Sequence, residues 1–131
     1  MILVDTSIWI ELLTRKPRRA IREQDLLSFA TCGPVVQEVL QGLRPDPQSD
    51  AFRMALLAIP VLSDPIPLSL FVSAAEIYRQ GRQRGFTIRS SVDCLIAAIA
   101  IDNRASVWHR DRDFDAIARY TGLAVARSGS I

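Results

Sequence analysis

One histidine, one lysine and two cysteines are all that this sequence offers of the side chains on which much enzyme chemistry is built. With His109 alone, a two-histidine mechanism acting through a ribose 2'-hydroxyl is excluded, and no Ser-His-Asp motif accompanies it. His109 reads more simply as a side chain at the end of a strand. A receiver-type phosphorylation domain also gathers aspartates at strand ends, but Lys16 is the sole lysine and is badly placed for the one such a site requires. Cys32 and Cys94 stand singly in apolar surroundings without a CxxC or Cys/His cluster, which fits buried thiols rather than a disulfide or a zinc site. Neither GxxxxGK[ST] nor GxGxxG occurs, so nucleotide hydrolysis lacks its usual signal. Long apolar runs are missing too. The longest, Cys94 to Ile101, has eight residues, far short of the roughly 20 that span a bilayer. Asp5 interrupts the N-terminal apolar stretch. No membrane segment is expected, and the protein is expected to be cytoplasmic.

What is present is a globular composition, 49% hydrophobic and 23% charged over 131 residues. That length holds one domain with a sizeable core, residues 1-131. The net charge of +2 says little by itself, but fifteen of the sixteen basic residues are arginine. They fall in groups: Arg15, Arg18, Arg19 and Arg22; Arg79, Arg82, Arg84 and Arg89; Arg110 and Arg112. The planar guanidinium fork suits phosphate, although a GC-rich genome would also write arginine for lysine.

Short apolar stretches alternate with helical patterns along the chain. Residues 2-4 read as a strand, and Asp5-Thr6-Ser7 supplies cap chemistry for a helix from about Ile8. Residues 18-30 can form a mixed helix. Pro34 suits the first turn of the next one, which shows Val36, Val39, Leu40 and Leu43 on one face. Residues 44-50 read as a loop, 51-58 as a short helix, and "IPVLSDPIP" as a strand of about four residues bracketed by prolines. The spacing Leu68, Phe71, Val72, Ala75, Tyr78 predicts an amphipathic helix over 68-84, with Gly85 just past its end. Ser90 or Ser91 caps "VDCLIAAIAID", a helix apolar on nearly every side and hence central. "ASVW" is a strand, "DFDAIARYTG" a helix and "LAVA" a last strand. This order predicts an α/β fold, a three-layer α/β/α sandwich around a short, mainly parallel sheet of four to five strands.

Five acids sit oddly in that pattern. Asp5 follows a strand. Glu38 interrupts an apolar helix one turn before Gly42. Asp93 occupies the first turn of the most buried helix. Asp111 and Asp113 lie between a strand and a helix. Asp5, Asp93 and Asp113 can each be explained singly as caps or first-turn acids, contributing roughly 0.5–2 kcal/mol. Glu38 could serve an arginine salt bridge. Together they say more, because parallel strands deliver Asp5 and Asp111 to one sheet edge and a helix starting there brings Asp93 close. Carboxylates crowded in one pocket repel, and removing each from water costs several kcal/mol, so a cation or shared protons must offset them. Hard oxygen donors without thiolates or paired imidazoles select Mg2+ or Mn2+ over zinc. Setting these five aside leaves nine acids against sixteen bases, a balance of +7. A basic rim around a metal pocket suits a polyanionic substrate.

The stretches "VDTSIWIELL", "VVQEVLQGL", "RSSVDCLIAAIA" and "HRDRDFDAIA", in this order, resemble the four signature blocks of the PIN-domain family, specifically its VapC-type toxins. The resemblance covers residues 2 to about 124. It implies a PIN-like fold in which Asp5, Glu38, Asp93 and Asp111 match the acidic quartet, Asp113 is the adjacent fifth acid, and Ser7 supports the site. His109 stands where many relatives carry threonine. The implied activity is a Mg2+-dependent endoribonuclease, with Mn2+ able to substitute. The implied context is a type II toxin-antitoxin system, with a homodimeric toxin and a cognate antitoxin as partner. On that basis Asp5 and Asp93 hold the metal, Asp111 and Asp113 complete its shell, and Glu38 orients or deprotonates the attacking water. Looped or single-stranded RNA would be cut to 5'-phosphate and 3'-hydroxyl ends. Arg89, Arg110 and Arg112 are the candidate phosphate contacts. The rival expectation is a catalytically silent PIN-like module that binds RNA or protein through the same surface.

Overall fold

The computed structural model describes residues 1–14 and 23–126. The basic group Arg15 to Arg22 lies outside them. The apolar N-terminal run forms β1 (Ile2–Val4), and helix α1 (Thr6–Thr14) follows after a single residue. The helix expected over 18-30 is a correction: its described part is one turn, α2 (Glu23–Leu26), followed by β2 (Phe29–Ala30). Ser28 ends that turn by donating its N–H and hydroxyl to Asp25 O at 3.1 and 2.9 Å. Phe29 and Ala30 are then free to pair with Ile2 and Leu3.

Next come α3 (Gly33–Gln41), α4 (Pro47–Ala58), α5 (Leu68–Gln83), α6 (Ser91–Asp102), β3 (Ser106–Trp108), α7 (Arg112–Ala118) and β4 (Ala124–Ala126). Helix α3 buries Val35 and Val39, one residue round from the face expected. Helix α4 begins within the stretch expected as a loop, because the Asp46 carboxylate accepts the Ser49 N–H at 2.8 Å and Pro47 fits the first turn. The strand expected in "IPVLSDPIP" reduces to one parallel bridge, Thr31 to Val61. Pro60 has no N–H to give and contributes only a carbonyl, to Thr31 N–H at 2.9 Å. Helix α7 is shorter than expected and stops at Ala118.

The largest correction concerns α5. Its buried face is Leu70, Ala74, Ile77 and Gly81, whereas Leu68, Phe71, Val72 and Ala75 face solvent. Both stripes are apolar, and α6 packs along the first. Gly85 follows with φ +81°, the left-handed conformation that a side chain would strain. Helix α6 is central as expected, with Cys94, Ile96, Ala97, Ala98, Ile99 and Ala100 all buried. Burial pushes the Cys32 and Cys94 thiols up to about 11, which keeps them protonated and inert.

Among the described residues the four strands are all parallel, in the order β2-β1-β3-β4, with Val4 opposite Trp108 and Ser106 opposite Ala124. Helices cover both faces, giving the three-layer α/β/α arrangement. Chain direction across the sheet reverses between β1 and β3, and the crevice beyond their carboxyl ends is where such sheets bind ligands. Beneath it, Trp9 meets Phe29 and Phe52 edge-on, and Phe29 meets Trp108, with ring centroids 5.8–6.1 Å apart. These contacts tie α1, β2 and β3 together under that crevice, each contributing about 0.5–1.5 kcal/mol beyond burial. No helix among the described residues is long and apolar enough to cross a membrane.

Candidate active site

The ends of β1 and β3 are tied together by hydrogen bonds. Asp5 continues β1 by donating its N–H to Trp108 O at 2.9 Å. The Ser7 hydroxyl donates to Asp5 Oδ2 at 2.6 Å and accepts the Arg110 N–H at 3.0 Å, so one side chain bridges the segments after β1 and β3. Helix α1 starts at Thr6 rather than near Ile8, and neither Thr6 nor Ser7 is its cap. Asp5 is: Oδ2 also accepts the Ser7 N–H at 3.2 Å, and the Asp5 carbonyl takes the first helical bonds. The carboxylate that makes these bonds through Oδ2 is 5% exposed.

Asp93 lies in the first turn of α6, after Ser90, which occupies the cap position without a side-chain hydrogen bond. Its Oδ2 is buried without a hydrogen-bond partner. Burial, reinforced by the charges of Asp111, Asp5 and Asp113, pushes its pKa from 3.8 to about 8. Asp111 caps α7: its Oδ1 accepts the Asp113 N–H at 2.9 Å. Asp113, 3% exposed, accepts the Arg89 N–H on Oδ2 at 3.1 Å. One carboxylate oxygen from each of Asp93, Asp111 and Asp113 falls within 4.8 Å of the others.

Asp5 and Glu38 stand outside that tight triad. Asp5 is near enough for its charge to act on Asp93. Glu38, half-buried on α3, accepts the Thr6 hydroxyl on Oε1 at 3.3 Å, which places it beside the residue next to Asp5. It also lines a cleft with Ile10, Val39 and Leu43. Thr6 has no signal in the sequence for this task, since its partner is 32 positions away.

The arginines are arranged unequally. The Arg89 guanidinium lies 3.7 Å from Asp111 Oδ1 and 3.8 Å from Asp113 Oδ1. Arg110 Nε donates to Glu11 Oε2 at 3.1 Å on α1. Arg112 is exposed at the first residue of α7. Among the described residues, Arg89 supplies the cation found beside the triad, and at more than half exposed it offsets the charge only in part.

The donor set is oxygen throughout, one oxygen is buried without a partner, and three carboxylates share a space too small for three unneutralised charges. These features fit a hard divalent cation. A parallel sheet with acids gathered beyond the β1 and β3 ends, fed by two helix starts, defines the class: the chain belongs to the PIN domain family, which matches residues 2–120. Within that family it is similar to the VapC ribonucleases. It is 38% identical to Ribonuclease VapC11 of Mycobacterium tuberculosis (strain H37Rv) and to VapC ribonuclease Mb1587 of Mycobacterium bovis, over 96% of this chain and 98% of each relative. Among solved structures it superposes on VapBC2 from Rickettsia felis, bound to a DNA fragment from their promoter, with a TM-score of 0.72. That match has 20% identity over 96% of this chain and 98% of the other.

Proposed function

We propose that this protein is an endoribonuclease that requires Mg2+, or Mn2+ in its place, and acts as the toxin of a VapBC-type pair. The observation that carries the reading is Asp93: a buried carboxylate with an unpartnered oxygen, within 4.8 Å of two others, costs the fold stability unless a cation neutralises it. Asp93, Asp111 and Asp113 would hold the ion, with Asp5 at its edge. When bound, it would neutralise the acids and, as a Lewis acid, stabilise charge on the phosphate.

The chain's own groups supply the remainder. Ser7 fixes Asp5 Oδ2 and so holds the carboxylate beside the triad. Thr6 holds Glu38 Oε1, which leaves Oε2 to orient a water and accept its proton as that water attacks phosphorus in line. The P–O3' bond breaks and the leaving 3'-oxygen takes a proton from solvent water, giving a 5'-phosphate and a 3'-hydroxyl. Arg112 is free to meet a phosphate directly, whereas Arg89 and Arg110 would exchange a carboxylate for one.

An antitoxin partner and a cytoplasmic site of action belong to the same reading. So does a homodimer, for which the bare α5 stripe of Leu68, Phe71 and Val72 beside Val92 supplies an apolar surface. Phe71→Glu is expected to convert a dimer to a monomer in light scattering, and an unchanged mass would remove this face from the dimer. For the activity, the purified chain is incubated with looped RNA and Mg2+. Cleavage to 5'-phosphate ends is expected, and Asp5→Asn and Asp93→Asn are expected to lose it. Either variant cutting at the wild-type rate overturns the assignment.

A further inference from the structure

His109 is buried at the first position past β3. Nδ1 accepts the Asp111 N–H at 3.0 Å, so the neutral ring carries its proton on Nε2. Nε2 lies 3.3 Å from Asp115 Oδ1, out of hydrogen-bonding alignment. The ring rests on Phe114 with centroids 5.0 Å apart. Held this way, Nδ1 is taken up by the backbone and the ring by Phe114.

Its connection to the acids is through the backbone. His109 Nδ1 takes the N–H of Asp111, Asp111 Oδ1 takes the N–H of Asp113, and Asp113 Oδ2 takes the N–H of Arg89. The first two links are the same turn used twice in series, a side-chain acceptor capturing the N–H two residues on. Where Asp113 points depends on Asp111, and where Asp111 points depends on His109.

We propose that His109 is a positioning residue whose Nδ1 sets the turn that brings Asp111 and Asp113 to Asp93, and thereby sets the site's affinity for a divalent cation. The proposal rests on the metal-dependent reading above.

Two substitutions separate the acceptor from the ring. His109→Asn keeps an oxygen able to take the N–H two residues on but loses the ring. His109→Phe keeps a ring against Phe114 and loses the acceptor. For the full chain and both variants, Mn2+ binding is measured by isothermal titration calorimetry and metal-free stability by thermal unfolding. Affinity is expected to follow the acceptor: His109→Phe binds Mn2+ at least about tenfold more weakly, the scale for loss of a supporting hydrogen bond at a metal site, and His109→Asn stays within about twofold of wild type. Stability is expected to follow the ring, with His109→Asn the less stable. In cleavage, His109→Phe should need more Mg2+ for half-maximal rate while its rate at saturating Mg2+ changes little. Wild-type Mn2+ affinity in His109→Phe overturns this inference alone, as does an affinity that falls in step with stability. Failure of the unsubstituted chain to bind Mn2+ overturns both it and the metal-dependent reading.

Discussion

Replacing Asp93 by asparagine should abolish activity and, without metal at alkaline pH, make the protein more stable. Burial and three neighbouring acids raise this carboxyl from 3.8 to about 8 in the fold. Below about pH 4 it is protonated in folded and unfolded chains alike, and the substitution changes little. Between about pH 4 and 8 the unfolded chain ionises there while the folded one keeps its proton. Stability therefore falls as pH rises, and the loss is complete above about pH 8. At about 1.4 kcal/mol per tenfold in proton affinity, the full difference is on the order of 6 kcal/mol. Solvent reaches the mouth, where the Asp111 side chain is 32% exposed, so the measured gain for Asp93→Asn should be about 2–4 kcal/mol. In a chain of this size that is roughly 10 °C in Tm. Thermal unfolding in a chelator from pH 4 to 9 should show wild type falling away from the variant. Adding Mn2+ at pH 8 should raise the wild type and leave Asp93→Asn nearly unmoved. Parallel curves across that range would refute the electrostatic reasoning.

Other expectations concern single contacts. Glu38→Gln should lower the cleavage rate by two to four orders of magnitude, and Thr6→Val, which only releases Glu38 Oε1, by about tenfold; single-turnover assays distinguish them, and equal losses would contradict the assigned roles. Arg89→Ala removes the cation beside Asp111 and Asp113, so the metal-free Tm should fall at pH 7 while the Tm rise on adding Mn2+ becomes larger; a smaller rise would mean that Arg89 assists the ion rather than standing in for it. At Gly81 a Cβ would lie 2.5 Å from Tyr120 Oη, which donates to Ile77 O at 2.8 Å. Gly81→Ala should therefore destabilise by about 1–3 kcal/mol in urea unfolding despite its better helix propensity, and less so in a Tyr120→Phe background.

The acids were legible because each breaks a local rule. A charge ends a buried strand at Asp5, interrupts an apolar helix at Glu38 and opens the most enclosed helix at Asp93. The parallel pairing of β1 with β3, needed to bring Asp5 and Asp111 to one edge, also follows from the alternation of elements. Spacing could not reveal which apolar stripe of α5 turns inward. Both satisfy the helical period, and the choice is made by packing against α6, which the spacing along α5 does not contain. Strand β2 was hidden because two residues are too few for any periodicity, and Phe29 is fixed by its ring neighbours rather than by its flanks. The Thr6–Glu38 contact joins residues 32 positions apart and is a product of tertiary placement, whereas the His109 turn is local but uses a side chain that is not an ordinary turn former.

The pairing of β1 with β3 also sets a timetable. Strand β1 leaves the ribosome early, yet its partner β3 lies more than a hundred positions later, and β4 can add only after that. Until then a growing chain carries Asp5, Glu38 and Asp93 without the Asp111–Asp113 turn, and the edge of β1 destined for β3 remains bare. Under the proposed function, the activity assembled this way stays latent throughout most of translation, because a chain that stops before residue 106 lacks Asp111 and Asp113.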